Sequence, residues 1–246
     1  MPSRAALYVR SALYWALSIV VLPLVVFALL LTFPFSIHIR YRVGSLWART
    51  NMVLLKTICN LGVRVEGREN IPPGAAIVLS KHQSTWETYA FQSILPPQLW
   101  VLKKELLRVP LFGWGLALLQ PIAIDRSAGK KAIDQIIEQG KQKLDQGRWV
   151  IIFPEGTRTS PGKKGRYKQG GAILGCNVDY PIVPIAHNAG EFWPKHSFIK
   201  YPGEVTVCIG PAIHAYGRQQ EQVNREVEDW IENKMQQISD PARWNR

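Results

Sequence analysis

Residues 11–33 carry no charged side chain, and the run SALYWALSIVVLPLVVFALLLTF is long enough to cross a hydrocarbon core as a helix. It is too long for the apolar part of a cleaved signal peptide, and no small-x-small cleavage site follows it, so a leader does not account for it. Pro23 in mid-run and Pro34 at its end predict a kink or a stop, which leaves a simple span and a re-entrant, one-leaflet insertion both open. Arg4 and Arg10 precede the run, while Arg40, Arg42, Arg49 and Lys56 follow it closely, a bias that puts the rest of the chain in the cytoplasm. Val43, Leu46, Trp47, Val53, Leu54, Ile58 and Leu61 then recur at helical spacing with Arg49 and Lys56 off the stripe. This predicts a second, amphipathic helix, either packed on a core or lying in the lipid interface.

After Gly62 the period changes. Short β-branched runs begin at Val63 (VRVEG), Ala75 (AAIVLS), Leu99 (LWVL), Ile122 (IAID), Trp149 (WVIIF), Ile182 (IVPIA) and Val205 (VTVCIG). Helical patterns lie between and after them, notably Ala132, Ile133, Ile136, Ile137 and Leu144, then Val223, Val227, Ile231, Met235 and Ile238. Strands alternating with helices predict an α/β fold, a mostly parallel sheet of about seven strands covered by helices, preceded by a membrane-associated two-helix segment. The division falls at residues 1–61 for the helices and 62–246 for the globular domain.

With 246 residues, 47% of them hydrophobic, there is room for one such domain and a short appendage. The formal net charge of +12 predicts anionic partners, whether phosphate headgroups, acidic carrier proteins or nucleic acid, and does not choose among them. Three cysteines, Cys59, Cys176 and Cys208, lack C-x-x-C or Cys/His ligand spacing, which argues against a disulfide framework and a zinc site. The basic run Lys163, Lys164, Arg166 and Lys168 reads as a solvated Gly-rich loop.

Chemistry concentrates in four segments. Lys81-His82-Gln83-Ser84-Thr85-Trp86-Glu87 follows a buried strand, where open α/β sheets place their sites. Neutral imidazole takes a proton from a hydroxyl near pH 7, and a carboxylate on its other nitrogen fixes the tautomer. Glu87 meets His82 only if the histidine precedes a helix and the glutamate sits in its first turn. Ser84-Thr85-Trp86-Glu87 is also a capping box, so Glu87 has two candidate roles, partner and cap, which its two oxygens allow together. The second segment, VPLFGWGLALLQPIAIDR at residues 109–126, ends in a strand carrying Asp125 and Arg126, and a guanidinium there offers a fork for phosphate or a salt bridge to a neighbour. The third is Phe153-Pro154-Glu155-Gly156-Thr157-Arg158-Thr159, with a glycine that admits close approach and a second fork in Arg158. The fourth, Ile182-Val183-Pro184-Ile185-Ala186, reads as a strand whose proline predicts an edge or an end.

In this order the four segments resemble the glycerophospholipid acyltransferase family, in particular the bacterial 1-acylglycerol-3-phosphate acyltransferases. The resemblance spans about residues 61–211 and rests chiefly on the histidine-plus-four-plus-acid block and on Phe153-Pro-Glu-Gly-Thr-Arg, with Ile124-Asp125-Arg126 between them. The family acid is usually aspartate, whereas this chain has Glu87. The resemblance implies that His82 and Glu87 form the catalytic pair, base and orienter. It implies that Arg126, Glu155, Gly156, Thr157 and Arg158 hold the glycerol phosphate with Lys103, and that Pro184 shapes the catalytic wall. It further implies transfer of an acyl group from acyl-CoA or acyl-acyl carrier protein, as co-substrate without a separate cofactor, to the sn-2 hydroxyl of lysophosphatidic acid. The setting implied is membrane lipid at the bacterial inner membrane, cytoplasmic side, with no nucleic acid; glycerol-3-phosphate and other lysophospholipids remain alternative acceptors.

Rival chemistries lack their residues. No cysteine sits where it would be activated, no G-x-S-x-G elbow exists, and Gly156 to Lys163 has the wrong length for a phosphate loop, with Lys164 where Ser or Thr is required. A noncatalytic adaptor binding anionic lipid is the alternative from another class, and it leaves His82 without a task.

Overall fold

The computed structural model describes residues 2–125 and 128–244. The Ser3 hydroxyl accepts from the Ala6 N–H at 3.2 Å and opens α1, Arg4–Leu31. Pro23 lies inside α1 and does not end it, since a proline deletes one backbone donor and the leucines and valines around it sustain the helix. The chain turns over residues 32–36 and returns as α2, Ile37–Cys59, with the Arg40 Nε–H donating to the Phe35 carbonyl at 3.1 Å across the turn. Tyr14 and Ser18 hydroxyls both donate to Asn51 Oδ1, at 2.6 and 2.7 Å, and these buried bonds fix the register of the two helices. Asn60 in the left-handed region ends α2 and turns the chain into the sheet.

The following elements are β1 Leu61–Glu66, β2 Ile77–Ser80, α3 Trp86–Ile94, β3 Gln98–Lys103, α4 Phe112–Leu118, β4 Ile122–Ile124 and α5 Lys130–Asp145. After them come β5 Trp149–Ile152, α6 Gly170–Asn177, β6 Ile182–His187, β7 Gly203–Ile209 and α7 Gln220–Ile238. The seven strands lie in the order β1-β7-β6-β2-β5-β3-β4, parallel throughout except for the antiparallel pair β6–β7. The α/β architecture expected from the periodicity is therefore present. β2 and β5 are buried at every position, which is why both read as unbroken apolar runs.

One face of the sheet packs on α1, α2 and α3 through Leu55, Trp86, Phe91, Trp149, Ile151 and Val205. The other packs on α5, α6 and α7 through Leu144, Leu174, Val223, Val227 and Ile231. α2 packs on the core of the domain through Ala48, Leu55 and Cys59, with Trp47, Leu54 and Ile58 of the expected stripe partly buried against it, whereas Leu46 and Val53 of that stripe are exposed. Glycines in α6 let it approach the sheet, since a Cβ on Gly171 would lie 2.3 Å from Leu79 Cδ2.

Pro184 departs from expectation. β6 lies in the interior of the sheet, between β7 and β2. Pro184 is tolerated there because it faces the point where β7 ends: its carbonyl accepts from Gly210 N at 2.8 Å, and its missing N–H falls where the ladder stops at Ile209.

Candidate active site

β2 is flanked by β5 and β6, and its pairing ends when Lys81 N–H donates to the Ile185 carbonyl at 3.0 Å. His82 is the next residue. The Ser84 hydroxyl accepts from Trp86 N–H at 3.1 Å and starts α3, which brings Glu87 into the first turn. Glu87 reaches back along the loop. Its Oε1 lies 2.8 Å from His82 Nδ1 and accepts from Gln83 N at 3.0 Å and Ser84 N at 2.9 Å, while Oε2 is 3.1 Å from Ser84 N. Partner and cap are one carboxylate.

Burial would push the Glu87 carboxyl up, but the imidazoles of His187 and His82 and the Ser84 N–H outweigh it and hold the group below the usual carboxylate range. An ionised carboxylate only accepts, so Nδ1 of His82 carries the proton and Nε2 the lone pair. The ring stacks on Phe153, with centroids 4.0 Å apart and planes at 13°, and borders a cavity. His187 supports the loop from behind: its Nδ1 accepts from Ala189 N at 3.3 Å, so Nε2–H donates to the Lys81 carbonyl at 2.8 Å. Burial pushes the His187 imidazolium down from the usual histidine range.

The third segment is stitched to the first. Thr159 N–H donates to the His82 carbonyl at 2.8 Å, and Glu155 Oε2 accepts from His82 N–H at 2.8 Å. Glu155 Oε1 is 2.7 Å from Lys81 Nζ and accepts from the Thr159 hydroxyl at 3.0 Å. Both oxygens of Glu155 are therefore spent on the loop that carries His82, and the side chain is not among those bordering the cavity. Lys81, itself buried, also pairs with Glu232 of α7 at 2.8 Å, and the Tyr167 hydroxyl donates to the same carboxylate at 2.8 Å.

The cavity, about 580 Å³, brings His82 together with Gly156, Thr157, Arg158 and Lys103. Gly156 holds φ +68° here, and a Cβ would sit 3.0 Å from Lys168 Nζ, so the turn favours glycine. Arg158 NH1 donates to the Thr85 hydroxyl at 2.9 Å, which orients the fork beside the base. The rest of the lining is largely apolar, with Val25, Val26 and Leu29 from α1, Trp47 from α2, Trp100 from β3 and Leu116 from α4. Pro184 does not border this space; its strand neighbours on the same side, Ile182 and Ala186, belong to the core beneath α7. Arg126 lies outside the described residues, and its neighbour Asp125 pairs with Lys104 at 3.1 Å. Lys81, His187 and Glu232 escaped sequence reasoning, and only a lysine closing a buried strand hinted at a partner.

A base with a free lone pair, cations and a long apolar wall fit an amphiphile with an anionic head and an alcohol to be deprotonated. The sequence profile of the Acyltransferase family matches residues 62–188, and the chain belongs to that family. The chain is 47% identical over 209 residues to a 1-acyl-sn-glycerol-3-phosphate acyltransferase of Pseudomonas aeruginosa, covering 84% of this chain and 81% of that protein. It is 29% identical over 202 residues to the enzyme of that name from Cocos nucifera, covering 81% and 64%. The crystal structure of the 1-acyl-sn-glycerophosphate acyltransferase of Thermotoga maritima has the same fold, with a TM-score of 0.76 over 97% of both chains at 22% identity.

Proposed function

We propose that the protein transfers a fatty acyl group from a thioester donor to the sn-2 hydroxyl of 1-acylglycerol-3-phosphate, making phosphatidic acid. The observation that carries this is the His82–Glu87 pair at 2.8 Å, set in one cavity with Arg158 and Lys103. His82 Nε2 takes the hydroxyl proton, the alkoxide oxygen bonds to the acyl carbon, and the C–S bond breaks. The imidazolium then returns its proton to the departing thiolate, so no acyl-enzyme forms. Arg158, Lys103 and Thr157 hold the phosphate, Gly156 shapes the turn beside them with its N–H on the Phe153 carbonyl, and the apolar wall takes up acyl chain. Acyl-CoA and acyl-acyl carrier protein are both donors of suitable charge for a +12 chain.

The hairpin supports membrane association on one leaflet. α1 carries no charge from Ser11 to its end at Leu31, with a mean hydropathy of 2.5 over its best window, but α2 returns beside it carrying Arg40, Arg42, Arg49 and Lys56, which do not suit a hydrocarbon core. The hairpin therefore dips into the cytoplasmic leaflet and leaves the sheet in the cytoplasm.

The test is a purified-enzyme assay crossing lysophosphatidate, glycerol-3-phosphate and a neutral lysolipid with both donors. Turnover should favour lysophosphatidate and fall about 10² to 10⁴-fold in His82→Ala, while Arg158→Ala should raise the acceptor KM first. Equal turnover in wild type and His82→Ala would exclude the mechanism.

A further inference from the structure

We propose that residues 103–114 form a second lipid contact, continuous with α1, which seats an anionic bilayer leaflet along one side of the cavity. This rests on the reading of α1 as membrane-associated. Leu106, Val109, Leu111 and Trp114 are 40%, 43%, 40% and 52% exposed. Single exposed apolar side chains need no explanation, but four large ones within nine residues make a patch. Leu111 holds φ 60° and ψ −62°, a conformation a leucine adopts only against a steric penalty, and it does so while facing outward. Penalty and exposure together ask for a compensating contact.

The occupant follows from what adjoins the patch. α4 lies against α1: a Cβ on Gly115 would be 3.3 Å from Val26 Cγ2 and 3.7 Å from Leu29 Cδ2. The patch therefore adjoins α1 beside Leu30, one turn from Val26 and 43% exposed, while Leu24, Phe27 and Leu31 are exposed on the far side of that helix. Arg108 stands exposed within it, next to the Lys104–Asp125 pair, and suits the phosphates of an anionic leaflet, as Trp114 suits its interface. Both contacts also wall the cavity, α1 through Leu22 and Val25, the second segment through Leu106 and Phe112. A lysolipid thus reaches His82 between two elements already covered by lipid, and its chain stays out of water.

The test uses the full chain with Cys176→Ser, the other two cysteines being buried. Leu24→Cys and Trp114→Cys are labelled singly with nitrobenzoxadiazole and mixed with phosphatidylethanolamine–phosphatidylglycerol vesicles whose acyl chains carry bromine. A blue shift and quenching at both positions supports the proposal. A response at Leu24 alone overturns it and leaves the hairpin reading standing; a response at neither overturns both. In a kinetic arm, Leu111→Glu with Trp114→Glu should slow turnover of long-chain lysophosphatidate in these vesicles by about tenfold or more, with turnover of a short-chain lysophosphatidate dispersed in buffer unchanged. Equal loss on both, or loss on neither, overturns the contact. Absence of turnover by the wild type refutes the acyl-transfer proposal, and the vesicle labelling then still decides the contact.

Discussion

Glu87→Gln isolates the charge of the orienting carboxylate, because glutamine keeps the arm length and one carbonyl oxygen. In the wild type Oε1 receives His82 Nδ1–H at 2.8 Å, Gln83 N–H at 3.0 Å and Ser84 N–H at 2.9 Å. The amide oxygen replaces Oε1 in all three bonds, and the amide nitrogen then meets Ser84 N–H as donor against donor. The larger loss falls on the transition state, where the imidazolium no longer faces an anion. At about 4 Å between charge centres and an effective dielectric of about 20 the attraction is about 4 kcal/mol, and the change from a charge-assisted to a neutral bond alone is at least about 1 kcal/mol. A cost of about 2 to 4 kcal/mol lowers kcat roughly 30- to 1,000-fold. The acceptor KM should stay within about twofold, since Glu87 does not border the cavity and binds no substrate. Thiol release from acyl-CoA, followed with a chromogenic disulfide on protein whose melting curve confirms folding, measures both constants. A folded variant with kcat within about threefold of wild type, or one that loses only KM, would refute the role given to the pair.

Two further outcomes follow from buried charge. Lys81→Met leaves Glu155 and Glu232 facing each other without the ammonium that lies 2.7 and 2.8 Å from them, and should cost about 3 to 5 kcal/mol in a denaturant titration; Lys81→Met with Glu155→Gln and Glu232→Gln should recover part of that, and no recovery would mean that packing, not charge, decides. Lys200 is enclosed by Tyr14, Trp15, Trp193 and Phe198, and burial pushes its ammonium down to about 7. The unfolded chain then binds more protons between about 7 and the ordinary lysine value near 10.5, so this side chain makes stability rise with pH across that window. Lys200→Met should raise the melting temperature most below pH 7, with the gain shrinking towards pH 10; a loss of stability below pH 7 would show that the rings favour the cation.

The architecture was legible because its strands announce themselves. Trp149–Ile152 and Ile77–Ser80 are buried on both faces and read as apolar runs, and α5 and α7 keep one stripe over several turns. α4 and α6 were not legible, since Gly113, Gly115, Gly170, Gly171 and Gly175 lower helix propensity and hold their places through close packing that only the fold reveals. In the site, His82 and Glu87 were readable because both lie in one turn of chain. Lys81 and Glu232 are 151 residues apart and no local pattern joins them. Glu155 shows the limit of a motif: its position beside Arg158 suggests a ligand contact, but a second carboxylate near the base is steadier when neutralised by Lys81, and there it fastens the loop.

The Lys81–Glu232 pair also sets an order of events during synthesis. α1 is made before the loop around His82, which must wait 73 residues for Glu155 and longer for α7. The apolar helix thus exists before the chain owns a rigid base, and the loop gains its full set of braces only once α7 is made.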